Sequence, residues 1–160
     1  MSRSNAQDAD LLFFDDFHVG QRFVSGTHTM DAGEIKAFAR QFDPQAFHLD
    51  EEAAQRTLLG GLAASGWHTA AITMRLQVER GLPIAGGIIG IGGELSWPKP
   101  TRPGDTLCVV SEVKEVVPSR SRPDRGVVRV RSETRNQRDE VVQILDAKLL
   151  VPRRAAVAPA

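Results

Sequence analysis

Apolar positions change their spacing along the chain, and the changes mark out its elements. Gly20 opens a strand-like run from Gln21 to Met30. Asp31 then makes a helix N-cap, with Glu34 at the capping-box offset and Ile35, Phe38 and Ala39 at helical spacing. Pro44 disfavours the helical region at Asp43, so this helix is expected to stop near Phe42. Asp50 with Glu51 and Glu52 opens a short second helix ending near Gly60–Gly61. A third, about Ser65 to Arg80, is stopped by Gly81-Leu82-Pro83. It carries apolar residues nearly all round (Trp67, Ala70, Ala71, Ile72, Met74, Leu76, Val78), the pattern of a buried helix. Then the grammar becomes that of strands: Gly87 to Trp97, Asp105 to Val117, Gly126 to Thr134 and Val141 to Val151. Alternation is clearest in Val128-Arg129-Val130-Arg131. Pro98, Pro100 and Pro103–Gly104 mark a turn, Pro118 to Gly126 a longer loop and Asn136 to Asp139 a tight hairpin. This order is α+β, and its economical packing is an antiparallel sheet wrapped around the central helix: a hotdog.

Composition narrows the function classes. The 160 residues suit one domain, expected over 12–152, with frayed ends at 1–11 and 153–160. Twenty basic side chains balance twenty acidic ones, so no overall field invites nucleic acid or an anionic membrane. Cys108 is the sole cysteine, which excludes an intrachain disulfide and any multi-cysteine metal site within the chain. The polar, acidic start lacks the apolar core of a signal peptide, and the apolar stretch from Leu58 to Met74 is too short and interrupted to span a bilayer. A cytoplasmic protein is the expectation.

The densest chemical signal is Asp43-Pro44-Gln45-Ala46-Phe47-His48, on a loop between helices. A carboxylate and an imidazole there can hold a water between them and move protons near neutral pH, with Asp43 accepting and His48 orienting the water or delivering a proton. Taken alone, Asp43 as a loop cap and His48 as a structural hydrogen-bonder explain the same residues. A second signal is Gly60-Gly61-Leu62-Ala63-Ala64-Ser65-Gly66, leading into the central helix. Small residues admit a substrate close to the backbone, and free N–H groups at a helix start can hold a developing oxyanion. Close packing of helix on sheet accounts for small residues equally well.

Together, the Asp-x4-His segment, the Gly-rich entry to the helix and Arg102-Pro103-Gly104-Asp105-Thr106-Leu107 before a late strand resemble the MaoC-like dehydratases and (R)-specific enoyl-CoA hydratases over roughly Asp15 to Pro152. The resemblance implies a hotdog hydratase or dehydratase acting on an enoyl-CoA or 3-hydroxyacyl-CoA thioester. Asp43 and His48 fall on the catalytic pair that holds water. Gly61 and Leu62 fall where a backbone N–H polarises the thioester carbonyl. Ser65 or Thr69 corresponds to a serine near the helix start. The family pattern commonly reads Asp-x-Asn-Pro-x-His, whereas Gln45-Ala46 stands here, so a differently shaped loop is expected. No metal and no cofactor are expected beyond the coenzyme A that the substrate carries, and a homodimer is the expected assembly. A thioesterase, and a catalytically silent acyl-thioester-binding protein, are the alternative readings.

The remaining histidines read as structural: His18 exposed, His28 and His68 satisfied by hydrogen bonds. Arg129 and Arg131 share a solvated strand face, while the loop arginines Arg120 and Arg122 are candidates for a coenzyme A phosphate cradle. Cys108 reads as an inert small hydrophobe.

Overall fold

In the computed structural model, residues 11–155 are described. They form β1 (Arg22–Thr29), α1 (Ala32–Phe42), α2 (Ala46–Leu49), α3 (Glu51–Gln55), α4 (Gly66–Leu76), β2 (Ile89–Ser96), β3 (Thr106–Pro118), β4 (Arg125–Arg135) and β5 (Val141–Pro152). The strands make one antiparallel sheet in the order β1-β3-β4-β5-β2, with β1 and β2 at its edges. Each pairing contains a register irregularity, and such bulges bend strands, which suits a sheet that must curve around a helix. The hotdog arrangement is therefore present, with α4 as its filling.

Local signals act as expected at several points. Asp31 caps α1 by accepting from Glu34 N at 3.1 Å, and Asp43 is the residue that ends it. Asp50 caps α3 by accepting from Ala53 N at 2.7 Å. Glu34 does not complete a capping box; its carboxylate turns to His28 instead. The helix α2 has no counterpart among the expected elements, and α4 ends at Leu76 in a π-type turn, Gln77–Gly81, rather than running to Arg80. The segments expected to fray are partly tied down. Arg153 N donates to Asp124 O, and Arg153 and Arg154 lie over the rings of Phe14 and Phe13, while Leu12, where the expected domain begins, exchanges backbone hydrogen bonds with Pro83 and Ala85. The rest of the expected frayed ends, 1–10 and 156–160, lies outside the described residues.

The helix α4 differs most from its expected character. Instead of being apolar and buried all round, it leaves Trp67, Met74 and, just beyond its end, Val78 exposed on one side. Against the sheet it presents a polar stripe: Ser65, Thr69, Thr73 and Gln77, one turn apart. All four are buried, and each finds a partner. Thr69 Oγ1 donates to Thr101 Oγ1 at 3.0 Å, and Thr73 and Thr134 share a hydrogen bond at 2.6 Å. Gln77 Nε2 donates to the hydroxyls of Ser111 and Ser132 at 3.3 and 2.8 Å. Apolar packing flanks this stripe on either side. One cluster gathers Phe14, Phe17, Leu82, Ile84 and the inner residues of β3, β4 and β5; the other gathers Met30, Ile35, Leu62, Ile72, Leu76 and Leu107. Burying so many hydroxyls and amides is tolerable only because they satisfy one another.

Candidate functional site

The site forms where α1 stops. Pro44 forces the chain out of the helix, leaving Asp43 at φ −151° and ψ 70°, and α2 then carries His48 back beside it. His48 is buried, and its Nδ1 lies 2.7 Å from Ala63 O. A carbonyl can only accept, so Nδ1 carries a proton and Nε2 is the atom turned to Asp43 Oδ2, 3.2 Å away. The Asp43 carboxylate accepts from Ser65 Oγ on Oδ2 and from Gln45 Nε2 on Oδ1, each at 2.7 Å. Burial alone pushes this carboxyl up. The Ser65 and Gln45 hydrogen bonds and the neighbouring His48 outweigh it and hold Asp43 below its ordinary value. Asp43 is thus a carboxylate at neutral pH.

Asp43 and His48 border an open cavity of about 460 Å³, whose wall also includes Gly66, Trp67, Thr69, Trp97, Lys99 and Thr101. Gly66 and Trp67 begin α4, where the first N–H groups have no acceptor within the helix. Ser65 stands at the capping position, but its hydroxyl is turned to Asp43 and does not cap the helix. The cavity therefore has an anionic carboxylate, an imidazole Nε2 and an uncapped helix start on its boundary.

The expected site residues divide into two groups. Asp43, His48 and Ser65 come together as described. Gly61 and Leu62 do not line the cavity. Leu62 is packed in the apolar core, and the carbonyls of Leu59, Gly61 and Leu62 all accept from the Arg102 guanidinium. A Cβ on Gly61 would stand 3.3 Å from Arg102 Nη1, so this glycine makes room for the arginine. The next two N–H groups are also committed: Ala63 N donates to Phe47 O and Ala64 N to Thr101 O. Along this entry to α4, the residues that line the cavity are Ala63, Ala64, Gly66 and Trp67. Arg120 and Arg122 are exposed on the β3–β4 loop. They stand at the far end of a hairpin whose strands run about 35–40 Å from the Thr101–Thr106 end that borders the cavity. Within one chain they are not part of the site. The cation on the cavity wall is Lys99, paired with Glu140. Hydrogen bonds from Lys99, Arg138 and Asn136 lower the Glu140 carboxyl to about 2.

Sequence reasoning named Gln45 and Gly66 within its two segments without giving either a role at the site, and it missed Trp97, Lys99 and Thr101. The available signals were a large aromatic beside a Pro-rich turn, Trp97-Pro98-Lys99-Pro100, and an amide two residues from the aspartate. The histidine readings need one correction. His28 is satisfied by Glu34 at 3.0 Å, but His68 reaches Glu34 only at 3.5 Å, and its buried Nδ1 has no partner among the described residues. Burial lowers the His68 pKa despite the nearby Glu34 carboxylate, and the ring stacks on Phe38 with centroids 4.7 Å apart.

Residues 17–136 match the family described as the MaoC like domain. The chain is similar to a MaoC-like dehydratase from Rhodospirillum rubrum, with TM-score 0.90 and 63% identity over 91% of this chain and 99% of that one. It is also similar to R-hydratase PhaJ1 from Pseudomonas aeruginosa, with TM-score 0.72 and 25% identity over 92% of this chain and 94% of that one. A 3-hydroxybutyryl-CoA dehydratase from Methylorubrum extorquens is 30% identical over 154 residues, covering 93% of this chain and 90% of that protein.

The Arg102 fork gives Gly61 a structural test. Gly61→Val should displace the guanidinium and free three carbonyls from their donor, costing about 1–3 kcal/mol. Thermal denaturation should show a lower Tm. An unchanged Tm with selective loss of activity would return Gly61 to the substrate side.

Proposed function

The chain belongs to the MaoC-like domain family, and we propose that it adds water to an enoyl-CoA thioester, or removes it from a 3-hydroxyacyl-CoA thioester, with Asp43 and His48 handling the water. One observation carries this reading. An ionised carboxylate, held by Ser65 and Gln45, lies 3.2 Å from an imidazole Nε2 whose other nitrogen is pinned to Ala63 O, and both border the same cavity. In the hydration step Nε2 must carry a proton as well as Nδ1, so the pair acts as carboxylate and imidazolium.

In the hydration direction, Asp43 takes one proton from water as the oxygen bonds to C3 of the enoyl group. The electron pair of the C2–C3 double bond moves toward the thioester, and charge builds on its carbonyl oxygen. The N–H groups of Gly66 and Trp67 at the start of α4 are the donors suited to hold that charge. His48 gives its proton to C2, leaving protonated Asp43 beside neutral imidazole, and transfer between them restores the pair. Water thus supplies hydroxyl to C3 and, in net terms, hydrogen to C2.

The expected assembly is a homodimer. The edge strand β2 is exposed along nearly its whole length, and Ile89 and Ile91 on it are exposed apolar side chains. A second copy pairing along β2 would cover the strand edge and these side chains.

Three outcomes are expected. Asp43→Asn and His48→Ala should each lower kcat/KM for enoyl-CoA hydration by about 10²–10⁴-fold with the fold intact. Loss of conjugated thioester absorbance and release of free thiol, followed in parallel, check this; thiol release without hydration would replace the reading with a thioesterase. For pH, Asp43 is held below 3.8, so activity that needs its anion is lost only as pH falls through that lowered value. Ser65→Ala removes a donor that stabilises the anion, so the acid limb of kcat/KM should move to higher pH; an unmoved limb would detach Asp43 from the chemistry. Light scattering should give twice the 17.5 kDa of one chain, and Ile91→Lys should shift the mass toward one chain.

A further inference from the structure

The protein contains a second cavity beside the first. It has a volume of about 310 Å³ and is lined mainly by apolar side chains, among them Met74, Leu95, Val130, Leu145 and Leu149. It shares no lining residue with the cavity of Asp43 and His48. What divides the two can be located on each element in turn. Along α4, Thr69 borders the first cavity and Gln77 the second, with Thr73 one turn from each. On β5, Leu145 faces the second cavity, and Gln143 precedes it on the same face. On β4, Ser132 faces the second cavity, and Thr134 follows on the same face. Where the chain leaves β2, Leu95 borders the second cavity and Trp97 the first.

The four residues between the cavities are hydrogen-bonded to one another. Trp97 Nε1 donates to Gln143 Oε1 at 2.9 Å, and Gln143 Nε2 donates to Thr73 Oγ1 at 3.0 Å. Thr73 and Thr134 join through their hydroxyls at 2.6 Å. Gln143, Thr73 and Thr134 are fully buried. The indole is pinned on its other side as well: a Cβ on Gly66 would lie 2.6–2.9 Å from atoms of the Trp97 ring, so the ring rests directly on the start of α4.

We propose that this chain of side chains is a partition that ends the acyl site. On this view the protein selects short-chain enoyl thioesters, and Trp97 sets the limit. The proposal rests on the hydratase reading and names its substrate class. A wall of aliphatic side chains could repack around a longer acyl tail. Moving Trp97 breaks the indole–amide bond and leaves a buried acceptor unpaired, so a longer tail must overcome a specific penalty. The second cavity is then apolar space that the acyl tail would enter if the partition were removed.

The test is a series of trans-2-enoyl-CoA esters from four to twelve carbons, with kcat/KM measured for the wild type and for Trp97→Ala. Wild-type kcat/KM should fall at least about tenfold between six and ten carbons, and Trp97→Ala should raise the ten-to-four-carbon ratio by about tenfold or more. Ala147→Phe, which fills the second cavity, should cancel that gain in the Trp97→Ala background and leave the wild-type profile as it was. A wild type that turns over the ten-carbon ester as well as the four-carbon one overturns the proposal. So does a folded Trp97→Ala variant with an unchanged profile, or a gain that Ala147→Phe does not cancel. Should Trp97→Ala not fold, Trp97→Phe, which trims the ring and removes its N–H, is read by the same criteria with a smaller gain. If the wild type hydrates no ester, the hydratase reading fails, and calorimetry with saturated acyl-CoA esters still decides the partition. Butyryl-CoA should then bind the wild type more tightly than decanoyl-CoA, and Trp97→Ala should reverse the order; equal chain-length dependence in both proteins would refute it.

Discussion

The axial position of α4 on the sheet is set by hydrogen bonds. Ser65, Thr69, Thr73 and Gln77 recur every fourth residue and meet Asp43, Thr101, Thr134 with Gln143, and Ser111 with Ser132. Sliding an apolar helix by a fraction of a turn costs packing that neighbouring side chains can partly recover. Sliding this one strands several buried polar groups at once, each costing about 1–3 kcal/mol when left unpaired. Register on the sheet is correspondingly sharp. The start of α4, the cavity at its N-terminal end and the one near its C-terminal end all take their positions from it.

That stripe is also where the sequence was hardest to read. Threonine counts as weakly polar in any periodicity, and two threonines amid Trp67, Ile72, Met74 and Leu76 do not break an apolar pattern. Their partners lie 32 to 70 residues away, so no local window contains both halves of a pair. Other features were legible because their causes are local. Asp31 and Asp50 cap the helices that follow them, Pro44 ends the helix before it, and β3, β4 and β5 begin and end within about two residues of their expected limits. Asp43 and His48 belong to this legible class, since only four residues separate them. Gly61 shows the opposite case. A glycine run before a helix reads as access for a substrate, and only the distant Arg102 reveals that its carbonyls are held by a guanidinium.

Charge follows the same division between local and distant causes. The chain carries no net charge, and its charged ladder lies on the sheet face away from α4, where Arg129 pairs with Asp146 at 3.0 Å. Within the cavity, the Asp43 anion is held by directed donors from Ser65 and Gln45, with the adjacent His48 adding to them. Such donors act at short range and lose little to salt, whereas exposed pairs are screened within about 8–10 Å. A neutral protein can therefore keep a strongly anionic group at one point.

Ser65 connects the carboxylate to the helix. A serine at a helix start ordinarily accepts from one of the first N–H groups, which stabilises the helix by roughly 1 kcal/mol. Here the hydroxyl donates to Asp43, which leaves α4 without a side-chain cap at the place where Gly66 and Trp67 meet the cavity. One side-chain orientation thus has two results: it keeps Asp43 ionised, and it leaves the helix N–H groups free for an incoming oxygen. A serine rotated back to cap its own helix would weaken both together. The Asp43 carboxylate and the uncapped start of α4 are therefore coupled through a single hydroxyl, and the polar stripe below it keeps that hydroxyl within reach of Asp43.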